Sequence, residues 1–275
     1  MTHETEMTAM DRFALVESFK DTQRLIKENP ALRDATLTMQ AGTRLFLPGF
    51  DAVAPVRKSD VPTITVLEDT TFHCAQQYLS EGRVAVLNFA NAYSPGGGVT
   101  RGAMAQEECL CRSSNLYEGL TLPYLLKNYY KTNARTTGDL GTDALIYHPG
   151  VTVFKDDQTI PELLEEPFQV DVITSAAPCL RPDRKKPIPN EKVEDTFNRR
   201  IKNILEVAIA YDVDVLVLGA FGCGAFNNPP EIVAGCFRYY LVDREYGCFF
   251  KKVVFAIKHQ ENSQNYAVFE RVLSG

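Results

Sequence analysis

The chain has 275 residues, 45% of them apolar and 23% charged, with a formal net charge of -6. This is the composition of a globular protein with a substantial core, and one large domain is the default. The acidic balance argues against a protein that tracks duplex nucleic acid by displacing counterions, and no apolar run reaches the ~18 residues that a membrane span needs.

The opening MTHETEMTAMDRFALVESF lacks the basic start and apolar centre of a secretion signal, so the expected location is the cytoplasm. Seven cysteines, with no Cys-x-x-Cys pair and no histidine at zinc spacing, read as reduced thiols. No oxygen-rich calcium loop, HExxH or facial triad is present, so neither a metal nor another cofactor is expected.

In chain order, Phe13, Val16, Phe19, Leu25 and Ile26 recur at helical spacing over residues 10–29, and Pro30 ends the pattern. Residues 1–50 are read as a helical extension packed on a single compact domain of residues 51–275. Apolar runs of strand length follow at 63–67, 84–89, 145–148, 170–174, 213–218 and 253–257. They are mostly unalternating, which suits strands buried on both faces of a mixed, largely parallel sheet between helices, the α/β class.

Residues 178–189 form a basic, proline-rich surface loop. After Asn190, a candidate N-cap, Val193, Phe197, Ile201, Ile204, Leu205, Ala208 and Ile209 trace a long amphipathic helix. Asn228-Pro229-Pro230-Glu231 combines a cap residue, prolines in the first turn and an acid, predicting a further helix to about Glu245.

Two glycine-rich loops lie at strand ends. The first runs from Asn91 through Gly96, Gly97 and Gly98 to Gln106-Glu107-Glu108, and its three glycines let a ligand pack against bare backbone, although such runs also serve as simple turns. The second reads Gly219-Ala-Phe-Gly222-Cys223-Gly224-Ala225-Phe226. Ligands of open α/β sheets bind beyond the carboxyl ends of strands, where backbone N–H groups meet anions, so this loop suits a diphosphate. It matches neither the P-loop nor the GxGxxG pattern. Phe226 reads equally as a stacking ring or a core aromatic. Cys223 is expected to offer its backbone N–H rather than its thiol, since a nucleophilic cysteine needs a base and the chain has only His3, His73, His148 and His259.

Together these residues resemble the microbial poly(ADP-ribose) glycohydrolase branch of the macrodomain superfamily. The resemblance rests on Gly96-Gly97-Gly98, seven residues (VTRGAMA), then Gln106-Glu107-Glu108, with VLNFANAYSPGGG, ITSAAP and LGAFGCGAF around them, and it covers about residues 60–260. It implies a three-layer macrodomain. It also implies that Gly96, Gly97 and Gly98 lie along the terminal ribose, that Gly222, Cys223, Gly224, Ala225 and Phe226 wrap the diphosphate with Phe226 flanking the ribose, and that Asn91 touches the distal ribose. Gln106 and Glu107 would orient ribose hydroxyls, and Glu108 would sit nearest the anomeric carbon.

The implied reaction is hydrolysis of the ribose–ribose bond of ADP-ribose polymers, mainly from chain ends, in the reversal of ADP-ribosylation and the DNA damage response. Such a bond needs a proton for the leaving hydroxyl and stabilisation of an oxocarbenium-like centre. Glu108 can supply the proton and then act as base toward water, with Glu107 as its catalytic companion. Alone, an acidic pair in a first helical turn is an ordinary surface feature; the glycines upstream favour catalysis. The partners expected are poly(ADP-ribose) or ADP-ribosylated macromolecules, bound by a monomer. The alternatives are a non-catalytic ADP-ribose reader, which has no need of Glu108, and a hydrolase of single ADP-ribose units on protein or nucleic acid. The latter choice turns on cleft shape near Asn91, Tyr93 and the segment Lys258-His259-Gln260.

Overall fold

The computed structural model describes residues 9–50, 56–136, 140–181, 187–258 and 263–274. His3, His259, Gln260 and the basic centre of the proline-rich loop, 182–186, lie outside the described residues.

The N-terminal periodicity forms α1 (Ala9–Glu28). Pro30 ends it and also starts α2 (Pro30–Gly42): the Asn29 carboxamide oxygen accepts from the N–H groups of Ala31 and Leu32, and proline in the first turn gives up no helical hydrogen bond. A short strand, β1 (Arg44–Phe46), then pairs with the main sheet, so the first fifty residues hold more than helix.

The sheet continues with β2 (Ile64–Leu67), β3 (Val84–Ala90), β4 (Leu145–Lys155), β5 (Leu163–Ala176), β6 (Val215–Leu218) and β7 (Lys252–Ala256). Its spatial order is β1-β4-β5-β3-β6-β7-β2. Pairs from β5 to β2 run parallel, while β1–β4 and β4–β5 are antiparallel.

Between β2 and β3 lies α3 (Thr71–Gln76), and β3 is followed by α4 (Gln106–Ser113), α5 (Leu116–Leu120), α6 (Pro123–Leu125), a π-helical turn (Leu126–Tyr130) and α7 (Lys131–Arg135). The C-terminal half adds α8 (Asn190–Ala210), α9 (Pro230–Arg238) and α10 (Asn265–Leu273).

The unalternating strands have the expected cause, burial on both faces. On β3, Ala85 and Leu87 point into a core built with Val193, Phe197 and Ile201 of α8, Phe237 of α9 and Phe269 of α10. Val84 and Val86 point the other way, toward Phe72, Leu110, Leu116 and Tyr129. Helices thus cover both sides of the sheet in three layers.

Two helix starts differ from the sequence reading. Pro189 and Pro229 occupy the cap positions of α8 and α9, and neither Asn190 nor Asn228 caps with its side chain. After α9 the chain turns through a π-helical segment, Tyr239–Asp243, and stops short of Glu245, which lies in the left-handed region at φ 57°.

α1 docks on the segment between the triple glycine and α4. Its anchor is Lys155, 3% exposed, whose ammonium donates to the Asp21 carboxylate (2.9 Å) and the Thr22 hydroxyl (3.0 Å). The Thr22 hydroxyl in turn donates to the carbonyl of Arg112 on α4. Gly102 (φ +74°) meets α1 so closely that a Cβ would stand 2.6 Å from the Arg12 carbonyl oxygen.

Candidate active site

The carboxyl ends of β3 and β6 release the two glycine loops into one cleft of about 270 Å³. The first loop bends at once because the Asn91 carboxamide oxygen accepts from the N–H groups of Tyr93 (2.8 Å) and Ser94 (3.0 Å). Gly96 and Gly97 then adopt φ of +64° and +57°, and the chain reverses into α4.

Glu107 and Glu108, in the first turn of α4, are 3% and 7% exposed. Glu107 accepts from the Asn91 N–H (2.8 Å) through Oε2, and the Asn88 amide nitrogen lies 3.4 Å from its Oε1. Burial pushes its carboxyl up to about 8 against the pull of the Asn91 N–H, with Glu108 adding to the rise. Glu108 accepts from the Gly98 N–H (2.8 Å) through Oε1, while its buried Oε2 has no hydrogen-bond partner among the described residues.

The triple glycine therefore serves the carboxyls directly. A Cβ on Gly97 would stand 2.3 Å from Glu108 Oε1 and 3.2 Å from Glu107 Oε2. Asn91, Gln106, Glu107 and Glu108 line the cleft, whereas Gly96, Gly97 and Gly98 are not among its lining residues. The Gln106 amide, expected to orient ribose hydroxyls, is engaged inside the protein. Its oxygen accepts from the Phe89 N–H (2.8 Å), and its nitrogen donates to the Leu87 carbonyl (2.8 Å) and the Thr71 hydroxyl (3.0 Å). It ties α4 to β3 and α3.

The second loop is a series of tight turns. The N–H groups of Phe221, Cys223, Asn227 and Asn228 close on the carbonyls of Gly219, Ala220, Gly224 and Gly222. The Cys223 N–H, expected on the diphosphate, is thus already donated, and the residue does not line the cleft. Burial pushes its thiol up to about 12, so it is no thiolate nucleophile at neutral pH. By contrast, the N–H groups of Gly222, Gly224, Ala225 and Phe226 have no acceptor among the described residues, and all four residues line the cleft. Four uncommitted N–H groups on one turn are a cradle for an anion.

Asn228 holds that cradle from behind. Its amide nitrogen donates to the carbonyls of Pro178 (2.7 Å) and Gly222 (2.8 Å). Gly222 has φ +76° and no room for a Cβ, which would stand 2.4 Å from that of Ala177.

Lys258, which the sequence reading placed near the cleft, lines it, and that reading missed other lining residues: Asp69, Thr70, Thr71, Asp157, Arg181 and Asn265. Arg181 donates to the Ala225 carbonyl (3.0 Å) and lies 5.8 Å from the Phe226 ring centroid, bringing a cation beside the cradle. Asp157 is buried, accepts from the Thr70 hydroxyl and the Phe72 N–H (2.7 Å each), and is raised by burial. Asp69–Thr71 and Lys258 follow β2 and β7, so the strand-end rule that located the glycine loops also points to them. Among the described residues, no group of three or more His, Cys, Asp or Glu side chains converges in a way that could hold a metal ion.

An anion cradle at one strand end thus faces a buried carboxyl pair at the next, and comparison with known proteins gives the arrangement a family. The family described as microbial-type PARG, catalytic domain, matches residues 16–156. The crystal structure of poly(ADP-ribose) glycohydrolase from Thermomonospora curvata is 35% identical, covers 95% of this chain and 100% of its own, and superposes with a TM-score of 0.81. This chain belongs to the microbial-type PARG family.

Two further PARG structures are similar. That from Deinococcus radiodurans in complex with ADP-ribose is 36% identical over 87% of this chain and 96% of its own, with a TM-score of 0.75. The T. curvata enzyme bound to the inhibitor ADP-HPD is 34% identical over 94% and 99%, with a TM-score of 0.79. No curated protein sequence matches the chain. The PARG fold agrees with the architecture above, a mixed α/β sheet flanked by helices, and none of the helices among the described residues is long and apolar enough to cross a membrane.

Proposed function

We propose that this PARG-family chain hydrolyses the O-glycosidic ribose–ribose bond of ADP-ribose polymers from chain ends, releasing ADP-ribose, with Glu108 as acid and then base. The observation that carries the reading is the Glu108 carboxyl itself. One oxygen is pinned by the Gly98 N–H, and the other is buried without a partner among the described residues, in a cleft that also holds an anion cradle. A buried carboxyl oxygen left unpaired is costly in a merely structural role, and a non-catalytic reader gives it no purpose. ADP-ribose and ADP-HPD bound to the relatives support the ligand class.

In this reading the N–H groups of Gly222, Gly224, Ala225 and Phe226, with Arg181, hold the diphosphate. Asn91 and Phe226 flank the ribose, and Gln106 positions α4. Glu108 donates its proton to the bridging oxygen as the bond to the anomeric carbon breaks, and the electron pair leaves with that oxygen. The diphosphate charge favours the cationic centre that forms. Glu108 then takes a proton from the water that attacks. The chain acts as a cytoplasmic monomer in the reversal of ADP-ribosylation, including that of the DNA damage response; cysteines that form no disulfide among the described residues support a reducing compartment. Its first fifty residues serve as an extension docked on one catalytic domain, 51–275.

The test is release of ADP-ribose from defined polymer, in the presence of a chelator, by wild type and Glu108→Gln. The variant is expected to bind ADP-ribose within a few-fold of wild type while turnover drops by about 10² or more. Retention of turnover by Glu108→Gln removes Glu108 from the chemistry. A wild type that spares the polymer but frees single ADP-ribose from modified protein replaces the substrate.

A further inference from the structure

The cleft holds one unit of the polymer, but the bond to be broken joins two. The unit that leaves is attached through the 2′-oxygen of its adenosine, and the 5′-carbon of that same ribose carries a second diphosphate. When Glu108 reaches the bridging oxygen, this diphosphate must lie outside the cleft, one ribose ring beyond the acid.

The chain beside the acid is the turn between the triple glycine and α4. A single 3₁₀ turn, Val99–Arg101, follows Gly98. Its frame is fixed: the Arg101 N–H donates to the Gly98 carbonyl (2.9 Å), the Gly102 N–H donates to the Val99 carbonyl (3.2 Å), and α1 presses on Gly102. Met104 and Ala105, just after it, line the cleft, and Met104 is 48% exposed, so this segment forms part of the cleft rim.

From this turn the Arg101 side chain runs back toward the acid. Its Nη2 lies 3.6 Å from the Cβ position of Gly98, and Glu108 Oε1 lies 3.7 Å from the same point. The two groups do not pair, because Glu108 Oε1 takes the Gly98 N–H instead. Arg101 is exposed, and its guanidinium has no hydrogen bond or ion pair among the described residues. In a chain with a formal net charge of -6, a cation left unpaired at this spot has no structural anion to serve.

We infer that Arg101 is the subsite for the leaving unit: its guanidinium grips the diphosphate of the penultimate ADP-ribose while the terminal one occupies the cleft. The planar fork matches two phosphate oxygens at once. The contact lasts only while the glycosidic bond is intact, since the ADP-ribose released has no second diphosphate to offer. Arg101 therefore favours polymer over product, and over ADP-ribose carried on a neutral leaving group. The inference rests on the glycohydrolase reading, but its first test measures binding and needs no turnover.

In the full chain carrying Glu108→Gln, which keeps the ligand whole, calorimetry should show Arg101→Ala weakening the ADP-ribose dimer about 10-fold and leaving ADP-ribose within about two-fold. Arg101→Lys should fall between, keeping the charge and losing the fork. Added salt should weaken the dimer less in Arg101→Ala than in its parent. With Glu108 intact, Arg101→Ala should raise KM on polymer about 10-fold and leave hydrolysis of ADP-ribose linked to a neutral aryl alcohol unchanged. Equal losses on dimer and ADP-ribose, or on polymer and the aryl substrate, mean that Arg101 serves the loop or Glu108, and overturn the proposal. A dimer affinity indifferent to the substitution overturns it as well. A chain that binds the dimer through Arg101 while its wild type releases no ADP-ribose keeps the subsite and overturns the glycohydrolase reading instead.

Discussion

Gly97 is constrained twice. Its φ of +57° disfavours any side chain, and a Cβ would stand 2.3 Å from the Glu108 oxygen that the Gly98 N–H holds. The backbone conformation alone costs alanine about 1–2 kcal/mol, and displacing a catalytic carboxyl by ~1 Å costs on the order of 10² in rate. Gly97→Ala is therefore expected to lose at least about 10² in turnover on polymer with only a modest fall in melting temperature. Wild-type turnover in a folded Gly97→Ala would show that Glu108 is not held by this contact. The glycines illustrate what sequence conveys at this scale: three in a row say that something approaches the backbone closely, but not that the neighbours are carboxyls of the same chain. Arg181 carried no motif because it joins the cleft from a distant strand end. The engagement of Gln106 was hidden for another reason, since its hydrogen-bond partners, on β3 and α3, are set by tertiary packing.

At the scale of elements, the second loop is a rigid turn held by one side chain. Asn228 reads in sequence as a helix cap, but Pro229 takes that position and the Asn228 amide spans the carbonyls of Pro178 and Gly222, joining the exits of β5 and β6. Asn228→Ala is expected to weaken ADP-ribose binding about 10-fold in calorimetry, the loss of roughly one to two hydrogen bonds, while turnover of saturating polymer changes by less than a few-fold. An equal drop in both would place Asn228 nearer the chemistry. Six strands were legible because burial on both faces writes a continuous apolar run. The outer part of β5, with its alternating and exposed residues, and the three-residue β1 were not, because they pair at the margin of the sheet, where no such run is needed. The long second helix of the N-terminal region was concealed by Pro30, which marks an end and a beginning with the same residue.

Across the whole molecule, two buried groups set opposing responses to pH. His148 is held down to about 3 by burial, against 6.5 when exposed, so the folded state loses stability as pH falls from 6.5 toward 3. Glu107 is raised from 4.5 to about 8, so it binds its proton more tightly when folded, and stability declines as pH rises from 4.5 toward 8; Asp157, also raised by burial, acts in the same sense. The melting temperature at fixed ionic strength should peak between about pH 4.5 and 6.5, and Glu107→Gln should flatten its alkaline side. A melting temperature that climbs steadily to pH 8 in wild type would contradict the burial effect on Glu107 and Asp157. The sheet order carries a consequence of another kind. β2 is made early, yet it is hydrogen-bonded to β7, the last strand, and the cleft residues Thr70 and Lys258 extend from that pair. During translation both glycine loops and the carboxyl pair leave the ribosome before β7 does, so a nascent chain carries its chemical groups before it has a closed cleft in which to use them.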